Sequence, residues 1–355
     1  MSILSSVTHR LPASMHVIER DWLSCNQVLF FDDADDETGA PGGQSDSRAP
    51  RDPISSGRQT VQQATLIDSG YGKHAQITTR LVGHVLESRG LPMRALKTLI
   101  NTHLHSDHCG GNAALVAASG CRVLVPQAQY DAVQRWDQSQ LTYRATGQHC
   151  DRFQADGALA PGDALTLGGL QWRVHAAPGH DPHSLLLHCA ERRLMLSADA
   201  LWENGFGIIF PELSGQSGFL EQHAALELIE SLAPEVVIPG HGRPFGDVPA
   251  AIARARSRLA ALREDPSRNA RNAIRALIKF LLLDLEQVRF ADLLERLRDA
   301  HVLLDAAAQL QMRLPQALAW AVDELVRAGQ LAREGEMVRN DDPAASRQSP
   351  PRIRQ

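Results

Sequence analysis

The sequence lacks an apolar run near the length that a membrane-spanning helix needs, which is about 20 residues. Residues 1–12 also lack the long apolar core of a secretory signal. Positive charge is not in excess, because 36 Lys and Arg stand against 41 Asp and Glu, for a net charge of −5. We therefore expect a cytoplasmic protein without a membrane segment, and the charge argues against a general polyanion binder.

Cysteines with paired spacing are missing too. The five cysteines are scattered along the chain: Cys25, Cys109, Cys121, Cys150 and Cys189. An odd number of scattered thiols predicts a reduced protein rather than a disulfide framework. With 355 residues and 43% hydrophobic residues, the chain is long enough for two domains with a real core.

The most informative stretch is THLHSDHCGG at residues 102–111, which places three histidines and one aspartate within six residues. The apolar run before it predicts a strand whose exit loop carries this cluster. Because alternate residues of an extended segment point to the same side, His103 and His105 can converge on one ion. The turn that follows directs Asp107 and His108 toward a second position, where another ion could bind. Imidazole and carboxylate suit a borderline divalent ion such as zinc.

More candidate ligands follow other strand-like runs along the chain. They are His180 in APGH, Asp199 in SAD and His241 in PGHG, and a further acidic residue, Asp68, follows a strand in LIDSG. Loops at several strand ends can meet at one edge of a sheet stack. With these landmarks in this order, residues 15–248 resemble the metallo-β-lactamase superfamily. The resemblance implies an α/β fold, the four-layer αββα sandwich of that family.

The resemblance also implies two metal ions. One ion would be held by His103, His105 and His180, the other by Asp107, His108 and His241, with Asp199 bridging both. Zinc is the default metal, and iron or manganese also suit these ligands. Two such ions can share a hydroxide and hold it as a nucleophile near neutral pH. In addition, Asp107 would orient the hydroxide, and Asp68 would fix a ligating histidine without itself contacting the metal.

Three residues are candidates for contact with the substrate. His183 stands where many relatives have a small residue, so we interpret it as a substrate contact or a proton donor to the leaving group. A solvent-exposed turn histidine is an equal alternative. Trp202 and Phe206 follow Asp199 and are candidates for the wall of an acyl pocket, although Trp202 fits a plain core position equally well.

These observations predict a dinuclear hydrolase that cleaves a small ester, thioester or lactone with a metal-bound hydroxide. Asp199 stands where many β-lactam-cleaving relatives have Cys or Ser, which argues against antibiotic hydrolysis. Glyoxalase II, another member of this superfamily, resembles this chain at the metal site but not in the region that follows the catalytic domain. Two rival activities stay open, a phosphodiesterase or nuclease on the same two ions and a mononuclear iron sulfur (persulfide) dioxygenase. A metal-binding module without turnover is disfavoured by the complete ligand set.

We expect three regions along the chain. Residues 1–248 form the catalytic domain, and residues 32–58, acidic and then rich in Gly, Ser and Pro, form a mobile insertion. Residues 249–340 read as helices followed by a hairpin, which resembles a winged helix, and residues 341–355 read as a disordered tail. Residues 249–340 hold 15 Lys and Arg against 12 Asp and Glu, too balanced for a nucleic-acid partner. We therefore favour a packing or dimer-forming role there, and a small molecule as substrate.

Overall fold

The computed structural model describes residues 10–32 and 62–341. Residues 33–58 of the expected insertion and residues 342–355 of the expected tail lie outside the described residues. Within the described part, no helix is long and apolar enough to cross a membrane.

The first half of the described chain forms a six-stranded sheet. Its strands in order across the sheet are β1 (Met15–Ile18), β2 (Gln27–Asp32), β3 (Gln63–Ile67), β4 (Leu96–Ile100), β5 (Arg122–Pro126) and β6 (Gly157–Leu159). The pairs β1–β2 and β2–β3 are antiparallel, whereas the strands from β3 to β6 are parallel. The carboxyl ends of β3 and β4 therefore lie at the same edge of this sheet.

A second, five-stranded sheet follows. Its strands are β7 (Ala164–Leu167), β8 (Leu170–Ala176), β9 (Leu185–Cys189), β10 (Leu194–Ala198) and β11 (Val236–Pro239), ordered β11-β10-β9-β8-β7. The strands β7 to β10 pair antiparallel, and β10–β11 is parallel. Every residue of β9, β10 and β11 is buried, as expected for strands covered on both faces. Strands β8, β10 and β11 run in one direction, so their carboxyl ends share one edge.

Helices cover the outer faces of both sheets. Those outside the first sheet include α1 (Ala75–Glu87), α2 (Ser106–Cys109), α3 (Asn112–Ser119), α4 (Tyr130–Arg135) and α5 (Tyr143–Thr146). Those that follow the second sheet in sequence are α6 (Phe210–Leu213), α7 (Phe219–Leu232) and α8 (Val248–Glu264). One apolar core lies between the sheets, where Phe30 meets Trp172 edge to face, and a separate core lies under each helical layer. These are the four layers of the predicted αββα sandwich.

The helical region expected after residue 248 is present. Beyond α8 it consists of α9 (Ser267–Leu285), α10 (Phe290–Leu297), α11 (His301–Gln309) and α12 (Leu314–Arg327), with strands β12 (Gln287–Arg289), β13 (Leu331–Glu334) and β14 (Met337–Asn340). The expected hairpin turns at Gly335, where φ is 60°. This region has its own apolar core, built mainly from α9 to α12.

Helices followed by a hairpin were expected here, and strand β12 is an addition to that pattern. Strand β12 is only three residues long, and it forms by pairing with β14, a contact distant in sequence.

Candidate metal centre

The candidate ligands gather where strands of both sheets end. His103 and His105 lie in the loop after β4, and Asp107 and His108 lie on the short helix α2 that follows. The remaining candidates come from loops after the second sheet's strands: His180 after β8, Asp199 after β10 and His241 after β11. The structure thus brings all seven sequence-predicted ligand positions to one place, at the carboxyl-end edge of the two sheets.

Three imidazoles form the first group. Nδ1 of His105 lies 3.1 Å from Nε2 of His103 and 2.8 Å from Nε2 of His180. Nδ1 of His180 donates to the carbonyl oxygen of Ile208 at 2.5 Å, so its Nε2 is left with a lone pair. Burial lowers the pKa of His180 to about 4 and lowers the pKa of His103 well below its usual value. Neutral rings whose nitrogens face a common point can bind a cation.

One carboxylate and two further imidazoles, Asp107, His108 and His241, form the second group. Oδ2 of Asp107 lies 3.1 Å from Nε2 of His241. Asp199 stands between the two groups, with Oδ1 at 3.5 Å from Nε2 of His108 and Oδ2 at 3.3 Å from Nε2 of His180. Burial acts to raise the pKa of Asp199, but His108 and His241 outweigh it and hold that pKa well below its usual range. Asp199 is therefore ionised and faces both groups.

Asp68 fixes the orientation of His108 from behind. Its Oδ2 accepts from Nδ1 of His108 at 2.8 Å and from the Thr102 hydroxyl at 2.8 Å, and its Oδ1 accepts the Thr102 backbone N–H at 2.8 Å. The Asp68 backbone has a φ of 58°, in the left-handed region. Such a conformation persists only where surrounding contacts hold it, and these hydrogen bonds are contacts of that kind.

The far nitrogen of His108 tests whether the residues fit a metal. Nε2 is buried and has no hydrogen-bond partner within the described residues. Burial acts to lower the pKa of His108, but Cys25, Asp68 and Asp199 outweigh it and raise that pKa well above its usual value. The surroundings thus favour positive charge at this nitrogen, and a divalent cation can supply that charge in place of a proton. The donor set therefore fits a metal ion.

Two glycines allow the ligands to lie against backbone. A Cβ atom at Gly240 would collide with the Asp199 carboxylate, and one at Gly207 would collide with the ring of His180. Neither collision involves the end of a flexible chain, because both side chains are buried and held by other contacts. The loops that carry the ligands are thus packed closely enough that only glycine fits.

A cavity of about 220 Å³ opens onto the ligands. His105, Asp107, His180, Asp199 and His241 line its metal-facing side. Its apolar wall consists of Trp22, Trp202, Phe206, Ile208, Phe210, Ala276, Leu277 and Phe280. Both aromatic residues expected from the sequence, Trp202 and Phe206, lie in this wall, and Nε1 of Trp202 donates to Oδ1 of Asp199 at 3.1 Å.

His183, unlike the other sequence-predicted site residues, neither lines the cavity nor lies within the ligand groups and the Asp68 contact that supports them. Its side chain is exposed, and it does not line the cavity. Its backbone N–H donates to Oδ1 of Asp181 at 2.8 Å, which closes a turn and directs the imidazole outward. The geometry therefore corresponds to the alternative interpretation, an exposed turn histidine.

Several residues at the site were missed by sequence reasoning. Asp181 is buried, and its Oδ2 lies 3.6 Å from Nε2 of His105, the ring nitrogen that points away from the other histidines. The sequence did offer a signal for Asp181, because this residue directly follows the candidate ligand His180. Asn272, Leu277 and Phe280 on α9 also line the cavity, and their only signal was the apolar face of that helix.

The fold and the donor set define a protein of the metallo-β-lactamase type, and comparison with known proteins agrees. The family model of the metallo-beta-lactamase superfamily matches residues 59–241, so the chain belongs to this superfamily. Human acyl-coenzyme A thioesterase MBLAC2 is 26% identical over 205 residues, 52% of this chain and 71% of that protein. A hydroxyacylglutathione hydrolase from Anaeromyxobacter dehalogenans is 34% identical over 109 residues, which cover 31% of this chain and 34% of that protein.

Among solved structures, a metallo-beta-lactamase family protein from Thermus thermophilus superimposes with a TM-score of 0.50 at 16% identity. The match covers 93% of this chain and 99% of that one, and it supports the fold alone. The predicted superfamily and fold are confirmed, and the chain is a metallo-β-lactamase-fold hydrolase. Superfamily membership and the clustered histidines and aspartates together indicate divalent metal binding.

Proposed function

We propose that this chain hydrolyses thioesters of small molecules with two divalent metal ions, zinc by default. His103, His105 and His180 would hold one ion, Asp107, His108 and His241 the other, and Asp199 would contact both. The observation that carries this proposal is the buried Nε2 of His108, which has no hydrogen-bond partner among residues 10–32 and 62–341 and faces the ionised carboxylate of Asp199. Donor atoms of each group of three lie within 4.8 Å of one another, a spacing that suits a shared ion.

When bound, the ions supply a nucleophile from water near neutral pH and polarise the carbonyl oxygen of the substrate. The chain's own residues prepare the site for this chemistry. Asp68 holds His108 in one orientation, and the Ile208 carbonyl does the same for His180. Asp107 accepts from Nε2 of His241 and lines the cavity, where its carboxylate would orient the attacking water.

The apolar wall of the cavity supports an acyl substrate. Phe206 and Phe210 both line the cavity, and the ring centroid of Phe210 lies 5.0 Å from that of His105, directly beside the first ligand group. An acyl chain against these rings would place its carbonyl carbon next to the ligands and would displace water from apolar surface. Both named relatives are thioester-cleaving enzymes by their names, which supports a thioester over an ester or lactone.

We also propose that residues 249–340 act as a separate winged-helix-like domain after the catalytic domain. The order α9, β12, α10, α11, α12, β13, β14 and the three-stranded sheet β12-β14-β13 support this assignment. Its helix α9 reaches the cavity through Asn272, Leu277 and Phe280, so the domain would complete the substrate site.

The proposal is tested with full-length protein, wild type beside Asp199→Asn. Metal content after purification without added metal is measured together with hydrolysis of an acyl-coenzyme A and of a hydroxyacylglutathione. We expect about two zinc ions per wild-type chain, turnover of at least one thioester, and loss of both metal and turnover in Asp199→Asn. The matched control is His183→Ala, a nearby exposed residue outside the cavity. Wild-type protein that holds metal but cleaves neither thioester would refute the proposed function.

A further inference from the structure

A second cavity, of about 350 Å³, lies between α8 and α9. Four arginines line it, together with three neutral residues: Arg258, Arg268, Arg271, Arg275, Ala261, Leu262 and Asn272. Nothing in the chemistry described above uses these arginines. We call this cavity with its four guanidinium groups the arginine pocket.

The arginine pocket adjoins the cavity of about 220 Å³ that opens onto the candidate ligands, which we call the metal-side cavity. Arg258 and Asn272 line both cavities, so the two spaces meet at these side chains. Arg258 is held in place there, because its Nη1 donates to the Phe206 carbonyl at 2.6 Å and its guanidinium lies 4.6 Å from the centre of the Phe206 ring. An elongated molecule that passes these side chains would have one end at the ligand groups and the other in the arginine pocket.

Positive charge in this pocket is only partly balanced. Asp265 lies 3.5 Å from Nε of Arg268 and 3.5 Å from Nη1 of Arg271, and it is the acidic partner of both. Arg275 instead donates to the neutral amide oxygen of Asn272 at 2.6 Å. Within residues 10–32 and 62–341, neither Arg258 nor Arg275 forms an ion pair with a carboxylate. Two of the four guanidinium groups thus share one carboxylate and the other two have none among these residues, an arrangement that an anion in the pocket would stabilise.

The chemistry of the pocket indicates which anion fits. Guanidinium groups bind phosphate through paired, planar hydrogen bonds, and several of them together suit a group with more than one negative charge. Half-exposed positions such as Arg271 leave room for a ligand to enter from solvent. A single carboxylate would neutralise less of the excess charge than a phosphate group would.

We propose that the arginine pocket binds the phosphate-bearing end of the thioester substrate, while the acyl end lies in the metal-side cavity. The inference rests on the proposed thioester hydrolysis and narrows it to phosphate-bearing thiol carriers. It favours a small molecule over an oligonucleotide, because residues 249–340 as a whole carry nearly balanced charge, 15 basic against 12 acidic residues.

The test compares two thioesters that share an acyl group and differ in phosphate. One is a short acyl-coenzyme A, which carries phosphates, and the other is the same acyl thioester of pantetheine, which carries none. The readout is the ratio of kcat/KM between them for wild type, Arg271→Gln, and Arg271→Gln with Arg275→Gln. We expect wild type to prefer the phosphate-bearing substrate, and the double variant to reduce this preference about tenfold or more, mainly through KM.

Arg263→Gln is the matched control. Arg263 is exposed, lies in the last turn of α8 and does not line the arginine pocket, so its substitution removes one positive charge from the same part of the molecule, as Arg271→Gln does. We expect the wild-type ratio in this variant. A preference that falls equally in Arg263→Gln would mean that general surface charge explains it and would overturn the proposal.

Binding to metal-free protein separates this inference from the proposed function. Free coenzyme A and free pantetheine are titrated into chelator-treated wild type and into the double variant. Tighter binding of coenzyme A that weakens in the double variant and at high salt supports the phosphate site even if no thioester is cleaved. Thioester cleavage without preference for the phosphate-bearing substrate, or a hydroxyacylglutathione cleaved in preference to it, overturns the inference and leaves thioester hydrolysis standing. Oligonucleotide cleavage that depends on Arg271 and Arg275 also overturns it.

Discussion

The two sides of the cavity are built in different ways. The metal-facing side consists of residues at the ends of strands, held by specific hydrogen bonds such as that from His180 to the Ile208 carbonyl. The opposite side consists mostly of apolar and aromatic side chains, of which Leu277 and Phe280 are held by packing on α9. Directional bonds fix charges and lone pairs, whereas packing fixes shape. Changes on the first side should therefore affect the chemical step and metal content, and changes on the second should affect stability and substrate choice.

The largest effect is expected from Asp199→Asn. The change removes the one carboxylate that faces both ligand groups, and stabilisation by two metal ions amounts to several kcal/mol, so kcat/KM should fall about a thousandfold. Steady-state kinetics with metal analysis measures this fall. A variant that retained its metal and a tenth of its activity would show that Asp199 is not shared by the two groups.

Asp68→Asn should have the next largest effect. The amide has one acceptor oxygen where the carboxylate has two, so its NH2 group would face a donor, either the Thr102 backbone N–H or His108 Nδ1, and His108 is held less firmly. Loss of a partner that orients a metal ligand costs about 10–100-fold in metal affinity or activity. Competition with a chelator measures that affinity. Affinity equal to that of wild type would limit Asp68 to a role in the backbone turn.

On the packing side, Phe280→Ala should change substrate preference and stability together. Phe280 is 6% exposed, and its ring meets Tyr71 edge to face at 4.8 Å. Truncation of a buried Phe costs about 3–5 kcal/mol of folding free energy, which thermal or denaturant unfolding measures. We expect KM for longer acyl chains to rise while metal content stays unchanged. Loss of metal in a folded Phe280→Ala protein would contradict the division between the two sides.

The smallest effect is expected from His183→Ala. The side chain is exposed and outside the cavity, so kcat, KM and the pH profile should match those of wild type, and unfolding free energy should change by less than about 0.5 kcal/mol. A pH–rate profile over the neutral range checks this. If the alkaline fall in rate seen in wild type were absent from the His183→Ala profile, His183 would be assigned as the proton donor.

The metal-facing side of the cavity was largely predictable because its candidate ligands lie close together in sequence or directly after an apolar run. His103 to His108 span six residues after one strand, and each remaining ligand follows its own apolar run. The turn at residues 181–183 shows where such reasoning fails. The sequence left His183 equally open as a substrate contact or an exposed turn residue and gave Asp181 no role, whereas Oδ1 of Asp181 accepts the His183 N–H and this bond places Asp181 inside and His183 outside.

Of the substrate side, the sequence predicted only Trp202 and Phe206, which follow Asp199, because the other parts meet only in the folded chain. Leu277 and Phe280 look like ordinary core residues of an amphipathic helix, and most of that helix's apolar face does pack inside the C-terminal core. The arginines at 268, 271 and 275 are spaced three and four residues apart, which aligns them on one helix face. Their meeting with Arg258 of α8 depends on how the two helices pack, and periodicity alone does not define that.

Helix α9 lets substrate choice evolve separately from the catalyst. Positions 272, 276, 277 and 280 face the cavity from a helix that carries none of the seven candidate ligands. A combinatorial library confined to these four codons would change the shape of the metal-side cavity and leave the loops that carry the candidate ligands unchanged. Selection on such a library would adapt the enzyme to new acyl groups through one helix face.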